Sequence, residues 1–287
     1  MLLKNRVGKK DIFYLIDKYS CAISRVEAEM LLEYLFNCER LDLYIRDFSI
    51  NKTMEELYDS LISRRLKGEP VQYITGCTEF MGLDFIVTKD VLIPRPETEL
   101  LVNVIRDTLS VTQTKNPKIL DLCTGSGNIA VSLSKLMPQS EIVATDMSEA
   151  ALKIAEKNAA RHNLSDRVRF YKGDLFNALI FAKNPKFDII VCNPPYIKED
   201  ELSYLQKEVK TEPEIALNGG KDGLDFYRII AKESYRYLEK GGSILLEIGF
   251  GQKKDVENIF SSYSIFEICR VIKDFNNIPR VMWFNLI

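Results

Sequence analysis

The chain has 287 residues, 46% hydrophobic and 28% charged, with a formal net charge of −2; it is long enough for one large or two ordinary domains and has the balance of a soluble globular protein. The slightly acidic total argues against an obligate DNA binder, whose phosphate contacts need a basic surface. A single histidine, His162, and six scattered cysteines with no CxxC pair make zinc-dependent hydrolysis and Ser-His-Asp chemistry poor readings, and no metal site is expected.

Charges at Lys4, Arg6, Lys9, Lys10 and Asp11 leave no apolar core for a signal peptide. No stretch approaches the roughly 20 apolar residues of a membrane span. A cytoplasmic protein without a membrane partner is expected, with Cys21, Cys38, Cys77, Cys123, Cys192 and Cys269 as small buried hydrophobes in a reducing compartment. Residues 1–76 read as a helical domain. Ala28, Leu31, Leu32 and Leu35 follow helical spacing behind a Ser24/Glu27 capping box. Leu57, Leu61 and Leu66 give a second helix that stops near Gly68 and Pro70. Between Glu79 and Ile93, Phe80, Leu83, Phe85, Val87, Val91 and Ile93 are spaced for strands, with Met81-Gly82 and Lys89-Asp90 as turns, so 77–93 reads as a β-hairpin linker. Glu97 to Leu109 reads as a helix with Leu100, Leu101, Val104 and Ile105 inward.

From residue 94 to 287, strands and helices alternate. The strands are Lys118–Leu122, Glu141–Thr145, Val168–Tyr171, Phe187–Val191, Ser243–Ile248, Ile265–Ile272 and Arg280–Leu286; the helices reach Met137, span Glu149–His162 and Leu224–Leu238, and run from Gln252 to Ser261. This is an α/β domain with a doubly wound, mostly parallel seven-stranded sheet. The short last connection permits only an antiparallel pair at one edge.

The chemistry-bearing residues fall at strand ends, where open α/β sheets bind ligands. After the first strand comes Asp121-Leu122-Cys123-Thr124-Gly125-Ser126-Gly127-Asn128, a glycine-bearing turn that lets backbone approach a ligand. Asp146, after the second, suits the two ribose hydroxyls of a nucleoside. Without a full GxGxxG or a Walker lysine, a nucleoside lacking phosphates fits better than a dinucleotide or ATP, and S-adenosylmethionine answers that description. Asp174 can accept from an adenine amine or cap a turn, and Leu175 can pack on the base. Asn193-Pro194-Pro195-Tyr196 follows a buried strand. Its two prolines stiffen the corner, leaving an amide, carbonyl oxygens and a ring that suit a planar NH2 group.

The chain resembles the peptide chain release factor glutamine methyltransferases over nearly its whole length. The resemblance rests on Gly68-Glu69-Pro70-Val71-Gln72-Tyr73-Ile74-Thr75-Gly76, Glu79 to Leu83, Ile93-Pro94-Arg95-Pro96-Glu97-Thr98-Glu99, the glycine loop and Asn193 to Ile197. Glu212-Pro213 to Leu217, Gly219 to Leu224, Lys273-Asp274-Phe275 and Arg280-Val281 extend it. It implies the methyltransferase version of the sheet, S-adenosylmethionine as cofactor with S-adenosylhomocysteine as product, and class 1 release factors as protein substrates, methylated on the glutamine amide of their Gly-Gly-Gln motif to modulate translation termination. It also implies that Cys123, Thr124, Gly125, Ser126, Gly127, Asp146, Asp174, Leu175 and Asn193 serve the cofactor, and that Asn193, Pro194, Pro195 and Tyr196 bind the glutamine. Three departures stand out: Cys123 where the family has glycine, Leu175 where an aromatic is common, and Phe275-Asn276-Asn277 in place of small residues. A Cys123 held at positive φ would be strained.

In the expected reaction, Asn193 Oδ1 and the Pro194 carbonyl accept the two amide hydrogens, Tyr196 stacks on the amide, and the methyl transfers by direct displacement. Arg95 and Glu97 face either the substrate or a structural ion pair, and Glu247 either faces the site or caps its strand. Rival readings are a ribosomal-protein glutamine methyltransferase, a nucleic-acid amino-methyltransferase acting on a flipped base, and a non-enzymatic cofactor-binding module. The acidic balance opposes a stable nucleic-acid partner, and the helical domain favours a protein one.

Overall fold

The computed structural model describes residues 9–112, 115–180 and 185–287; Lys4 and Arg6 of the charged start lie outside them. The described residues up to Cys77 together with Gln206–Thr211 form one compact unit, and Thr78–Leu205 with Glu212–Ile287 form another.

The first unit consists of α1 (Lys9–Lys18), α2 (Arg25–Phe36), α3 (Asp42–Ile45), α4 (Lys52–Leu66) and α5 (Val71–Thr75). α2 begins at the expected reciprocal cap: Glu27 N donates to Ser24 Oγ at 3.2 Å, and Ser24 N donates to Glu27 Oε2 at 3.0 Å. Ala28, Leu31 and Leu32 then bury against Ile12, Leu15, Ile16, Tyr58 and Ile62. The inward stripe of α4 is therefore Tyr58 and Ile62, whereas Leu57 and Leu66 are 49% and 48% exposed. Two apolar i,i+4 stripes run side by side on this helix, and spacing alone does not say which one meets the core. Arg65 joins two distant stretches of chain, with Glu27 at 2.6 Å and Glu208 at 2.7 Å. The Lys207 side chain lies over Gly68, so close that a Cβ there would meet it at 2.6 Å.

In the second unit, β1 (Cys77–Phe80) and β2 (Leu83–Ile86) form the expected hairpin, with Met81 and Gly82 both at positive φ in its turn. No strand follows Ile86 before α6 (Glu99–Thr112); Val87, Val91 and Ile93 are buried along an irregular stretch. α6 buries Leu101, Val102 and Ile105, with Leu100 and Val104 only partly covered. The hairpin is anchored by side chains outside itself. Glu99 accepts from Met81 N at 2.7 Å, and the His162 ring donates to the Asp84 carbonyl at 2.8 Å. Asn158, fully buried, accepts from Ile86 N at 2.7 Å and donates to Ile86 O at 3.0 Å and Ser126 O at 2.9 Å.

There follow β3 (Lys118–Leu122), α7 (Asn128–Leu136), β4 (Glu141–Asp146), α8 (Glu149–Arg161), β5 (Val168–Lys172), β6 (Phe187–Cys192), α9 (Asp225–Glu233), β7 (Leu238–Glu247), α10 (Lys253–Ser261), β8 (Phe266–Lys273) and β9 (Pro279–Leu286). The seven-stranded sheet has the order β5-β4-β3-β6-β7-β9-β8, with β9 antiparallel to both neighbours. Successive residues of one strand serve opposite faces. Ile189 and Val191 join the core under α6, α7 and α8, while Ile190 and Cys192 join the core under α9 and α10. In the central strands, where both faces are covered, the sequence reads as largely apolar runs, whereas the edge strands β5 and β8 are mostly exposed.

Two expectations fail here. The helix from Leu224 stops at Glu233, and Leu238 already belongs to β7. Phe187 N donates to Tyr237 O at 2.8 Å and Phe187 pairs with Leu238, so sheet pairing overrides the helical pattern, and a register shift between Phe187 and Ile189 follows before pairing resumes at Ser243. Of the six cysteines only Cys192 is buried; Cys21 lies exposed in the turn after α1 and Cys269 exposed on the edge strand β8. Asn158→Ala should destabilise the protein by about 2–4 kcal/mol, because it strands the Ile86 amide and two carbonyls; a lowered urea midpoint with unchanged slope is the expected record.

Candidate active site

β3 lies between β4 and β6, and the chain leaves it in one direction before returning on the other side. The crevice of such a sheet opens beyond the carboxyl ends at this reversal. The loop after β3, Asp146 at the end of β4 and Asn193 after β6 all arrive there. The cleft they share is lined by Cys123, Gly125, Asp146, Asp174, Leu175, Asn193 and Pro195, by Ile215 and Ala216 of the Glu212 to Leu217 stretch, and by residues the sequence reading did not single out: Met147, Ser148 and Phe226.

The loop after β3 is held from below. Buried Asp121 accepts the Thr124 hydroxyl at 2.6 Å, and Thr124 N donates to Thr145 O at 2.9 Å. Burial pushes the Asp121 carboxyl up to about 7, against the lowering effect of Thr124. Thr124 and Ser126 are buried, and with Gly127 they serve the loop's own packing and do not line the cleft. Cys123 has φ +58 and Leu175 has φ +45, so two of the three departures that the resemblance suggested put a side chain on left-handed backbone, at a typical cost of about 1–2 kcal/mol each. The third stretch contains Asn277, at φ +63, where asparagine is better tolerated. Burial pushes the Cys192 thiol up, with the Cys123 sulfur as its neighbour.

Asp146 accepts from Gly125 N at 2.8 Å and from Ser148 N at 2.9 Å. These amides and that of Met147 oppose the upward push of burial on its carboxyl without cancelling it. Asp174 is exposed at the start of the 3-10 turn Leu175–Leu179, and its side chain caps nothing there. Leu175 is buried beneath the cleft.

The Asn193–Tyr196 corner is braced by a second segment. Ile197 N donates to Leu217 O at 2.9 Å, and Gly219 N donates to Ile197 O at 2.8 Å. This approach admits only glycine: a Cβ on Gly219 would meet Tyr196 Cα at 2.7 Å, and one on Gly223 would meet Tyr196 O at 2.5 Å. Gln252 Nε2 also donates to Tyr196 O at 2.9 Å. Pro194 is buried, and Tyr196 lines an adjoining hollow with Phe250 and Gln252; burial raises its phenol.

Behind Asn193 stand two residues from distant parts of the chain. Asn193 Nδ2 donates to Thr98 Oγ1 at 3.1 Å, and Thr98 Oγ1 donates to Glu247 Oε2 at 2.6 Å. Thr98 is 1% exposed and Glu247 2%. Glu247 thus faces the site through Thr98, and burial pushes its carboxyl up to about 7 against the Thr98 hydroxyl, Arg280 and Arg95. Arg95 is taken by a structural ion pair with buried Glu212, which also accepts from Ile93 N at 3.0 Å. Asp274 binds Arg280 at 2.9 Å and the amides of Asn276 and Ile278, closing that loop beneath a fully exposed Phe275. The sequence signal for Thr98 was its place in the Pro94 to Glu99 run; nothing in the sequence pairs it with Glu247.

Residues 96–221 match the model of the methyltransferase small domain, and residues 15–76 that of the PrmC N-terminal domain. The release factor glutamine methyltransferase of Thermodesulfovibrio yellowstonii is 43% identical over 93% of this chain and 94% of its own, and that of Clostridium acetobutylicum is 42% identical over 89% of each. The chain belongs to the release factor glutamine methyltransferase family. A methyltransferase of Pyrococcus furiosus, 18% identical, superposes with a TM-score of 0.53 over 79% of this chain and 98% of that one, a likeness of fold alone. Among the described residues no cluster could hold a metal ion and no helix is long and apolar enough to cross a membrane.

In this family member, Cys123→Gly should be neutral or stabilising by up to about 1 kcal/mol, since relief at φ +58 outweighs the greater freedom of glycine when unfolded. Cys123→Val, β-branched on the same backbone, should cost more than about 1 kcal/mol. Urea denaturation of both variants checks the two signs.

Proposed function

We propose that this protein uses S-adenosylmethionine to methylate the side-chain amide nitrogen of the glutamine in the Gly-Gly-Gln motif of class 1 peptide chain release factors, and so modulates translation termination in the cytoplasm. The observation that carries the reading is one cleft containing both Asn193 with Pro195 and the loop after β3 with Asp146. An amide-reading corner and a nucleoside-type pocket then adjoin.

The residues of the cleft fit the cofactor. Asp146 offers a carboxylate for vicinal hydroxyls. Met147, Leu175, Ile215 and Phe226 supply apolar surface for a base, and Gly125 has nothing within 4 Å of the place its Cβ would take. When bound, the cofactor supplies an electrophilic sulfonium methyl. The chain's part is positional. An amide nitrogen is a poor nucleophile because its lone pair is delocalised. Asn193 Oδ1 and the Pro194 carbonyl accept hydrogen bonds from its two N–H groups, Tyr196 covers its plane, and the nitrogen is left facing the donor. Such positioning supplies roughly 7–11 kcal/mol in well-oriented systems. The helical unit is the proposed reader of the release factor, with no nucleic-acid partner required.

Mass spectrometry of a release factor incubated with enzyme and methyl donor should find one added methyl on that glutamine; transfer only to ribosomal protein or to DNA would overturn the reading. Asn193→Ala should abolish transfer with cofactor affinity retained. Asp146→Ala should weaken cofactor binding roughly 10- to 100-fold, the loss of one or two hydrogen bonds to a charged group, as measured by calorimetry.

A further inference from the structure

We propose that Thr98 and Glu247 are positioning residues that fix which end of the Asn193 amide meets the substrate. The inference rests on the function proposed above and deepens it.

The two ends of an asparagine amide are nearly equal in shape and opposite in chemistry: one accepts hydrogen bonds, the other only donates. A glutamine NH2 awaiting a methyl presents donors. It is received by Oδ1 and repelled by Nδ2, so a corner that let Asn193 turn over would spend part of its time in a form that rejects substrate. The geometry behind Asn193 removes that freedom. Thr98 Oγ1 carries one hydrogen, and an ionised Glu247, 2.6 Å away, has only acceptors to offer. The hydroxyl hydrogen is therefore committed to Glu247. What Thr98 turns towards Asn193, at 3.1 Å, is a lone pair, and only Nδ2 can answer it. Oδ1 is then directed away from Thr98, and Asn193 is one of the residues that line the cleft. Thr98 and Glu247 are both buried, so water does not compete for either bond. The support is itself fixed: Glu247 closes β7 opposite Val281 on β9, its backbone carbonyl accepts the Tyr227 hydroxyl at 3.0 Å, and Thr98 N donates to Arg95 O at 3.1 Å.

The lock depends on the charge of Glu247. Once protonated, Glu247 can donate into Thr98 Oγ1, the hydroxyl hydrogen is released, and both orientations of the Asn193 amide become available. The groups facing Glu247 are Arg280 from β9, Arg95 and Glu97 from the turn before α6, Tyr196 from the corner after β6, and Tyr227 from α9. Burial prevails over the two arginines and the Thr98 hydroxyl and leaves the carboxyl near neutrality. Methyl transfer should accordingly fall as pH falls through the ionisation of Glu247.

Methylation of a release factor by the wild-type enzyme is the reference. If wild type leaves that protein unmodified, the proposed function falls and this inference with it. If wild type transfers the methyl, Thr98→Val should lower kcat about 10- to 100-fold, the loss of one buried hydrogen bond, with cofactor Kd changed less than about threefold. Thr98→Ser, which keeps the hydroxyl, should recover most of the activity. Wild-type kcat should climb between about pH 6 and 8, and that limb should be missing in Glu247→Gln; Asp121 also titrates near neutrality, so it is this loss that assigns the limb. Free of cofactor and substrate, the Asn193 side-chain amide proton–nitrogen NMR signal should move over the same pH range in wild type and hold still in Glu247→Gln. Full activity of Thr98→Val beside an active wild type, or a low-pH limb that survives in Glu247→Gln, overturns the inference and leaves the proposed function standing.

Discussion

β3 has a parallel neighbour on each side, and the chain moves outward through β4 and β5 before coming back to β6. No helix can cover the carboxyl end of β3 at that reversal, so a crevice opens there. Its walls include residues at or just after the ends of these strands: Cys123 and Gly125, Asp146 with Met147, Asp174 with Leu175, and Asn193 with Pro195. Strand pairing sets how far each of these can reach. Asp121 is in register with Ala144 and Val191, so the loops after β3, β4 and β6 begin at nearly one level. The glycine-to-tyrosine contacts, the Gln252 bond and the Asn158 clamp all refine an arrangement that the sheet order has already imposed.

Much of this could be read in the sequence, for a reason that also marks where reading fails. Strands buried on both faces appear as largely apolar runs, so Phe187 to Val191 announced both β6 and the corner after it. The corner Asn193 to Tyr196 could be placed because two consecutive prolines stiffen the turn that ends the strand. The links between distant residues could not be read. Thr98 and Glu247 are separated by 149 residues, and neither looks unusual in its own neighbourhood. Asn158 sits among alternating charges of a surface helix, and only the fold shows that its amide holds Ile86 and Ser126. On α4, the choice between Leu57 and Tyr58 as the inward residue was a matter of rotation about the helix axis. At Leu238 a good helical pattern gave way to strand pairing with Phe187. These misses arise where tertiary contacts decide between locally equal alternatives.

The three positions or stretches that the resemblance marked as unusual share a backbone property. Cys123, Leu175 and Asn277 all lie in the left-handed region. Two of them border the cleft, so conformational strain is carried next to the proposed cofactor contacts and is balanced by the hydrogen bonds around Asp121 and Asp146.

The helical unit is not one continuous piece of sequence. Arg65 needs Glu208 as well as Glu27, and the aliphatic stem of Lys207 fills the hollow over Gly68. A fragment cut after Cys77 would lose both, and would uncover an arginine and a groove that belong inside the fold. No single scission therefore frees this unit intact. Grafting it onto a relative would require transplanting two separate stretches together, Met1–Cys77 and Gln206–Thr211, so the two units are tied into joint inheritance.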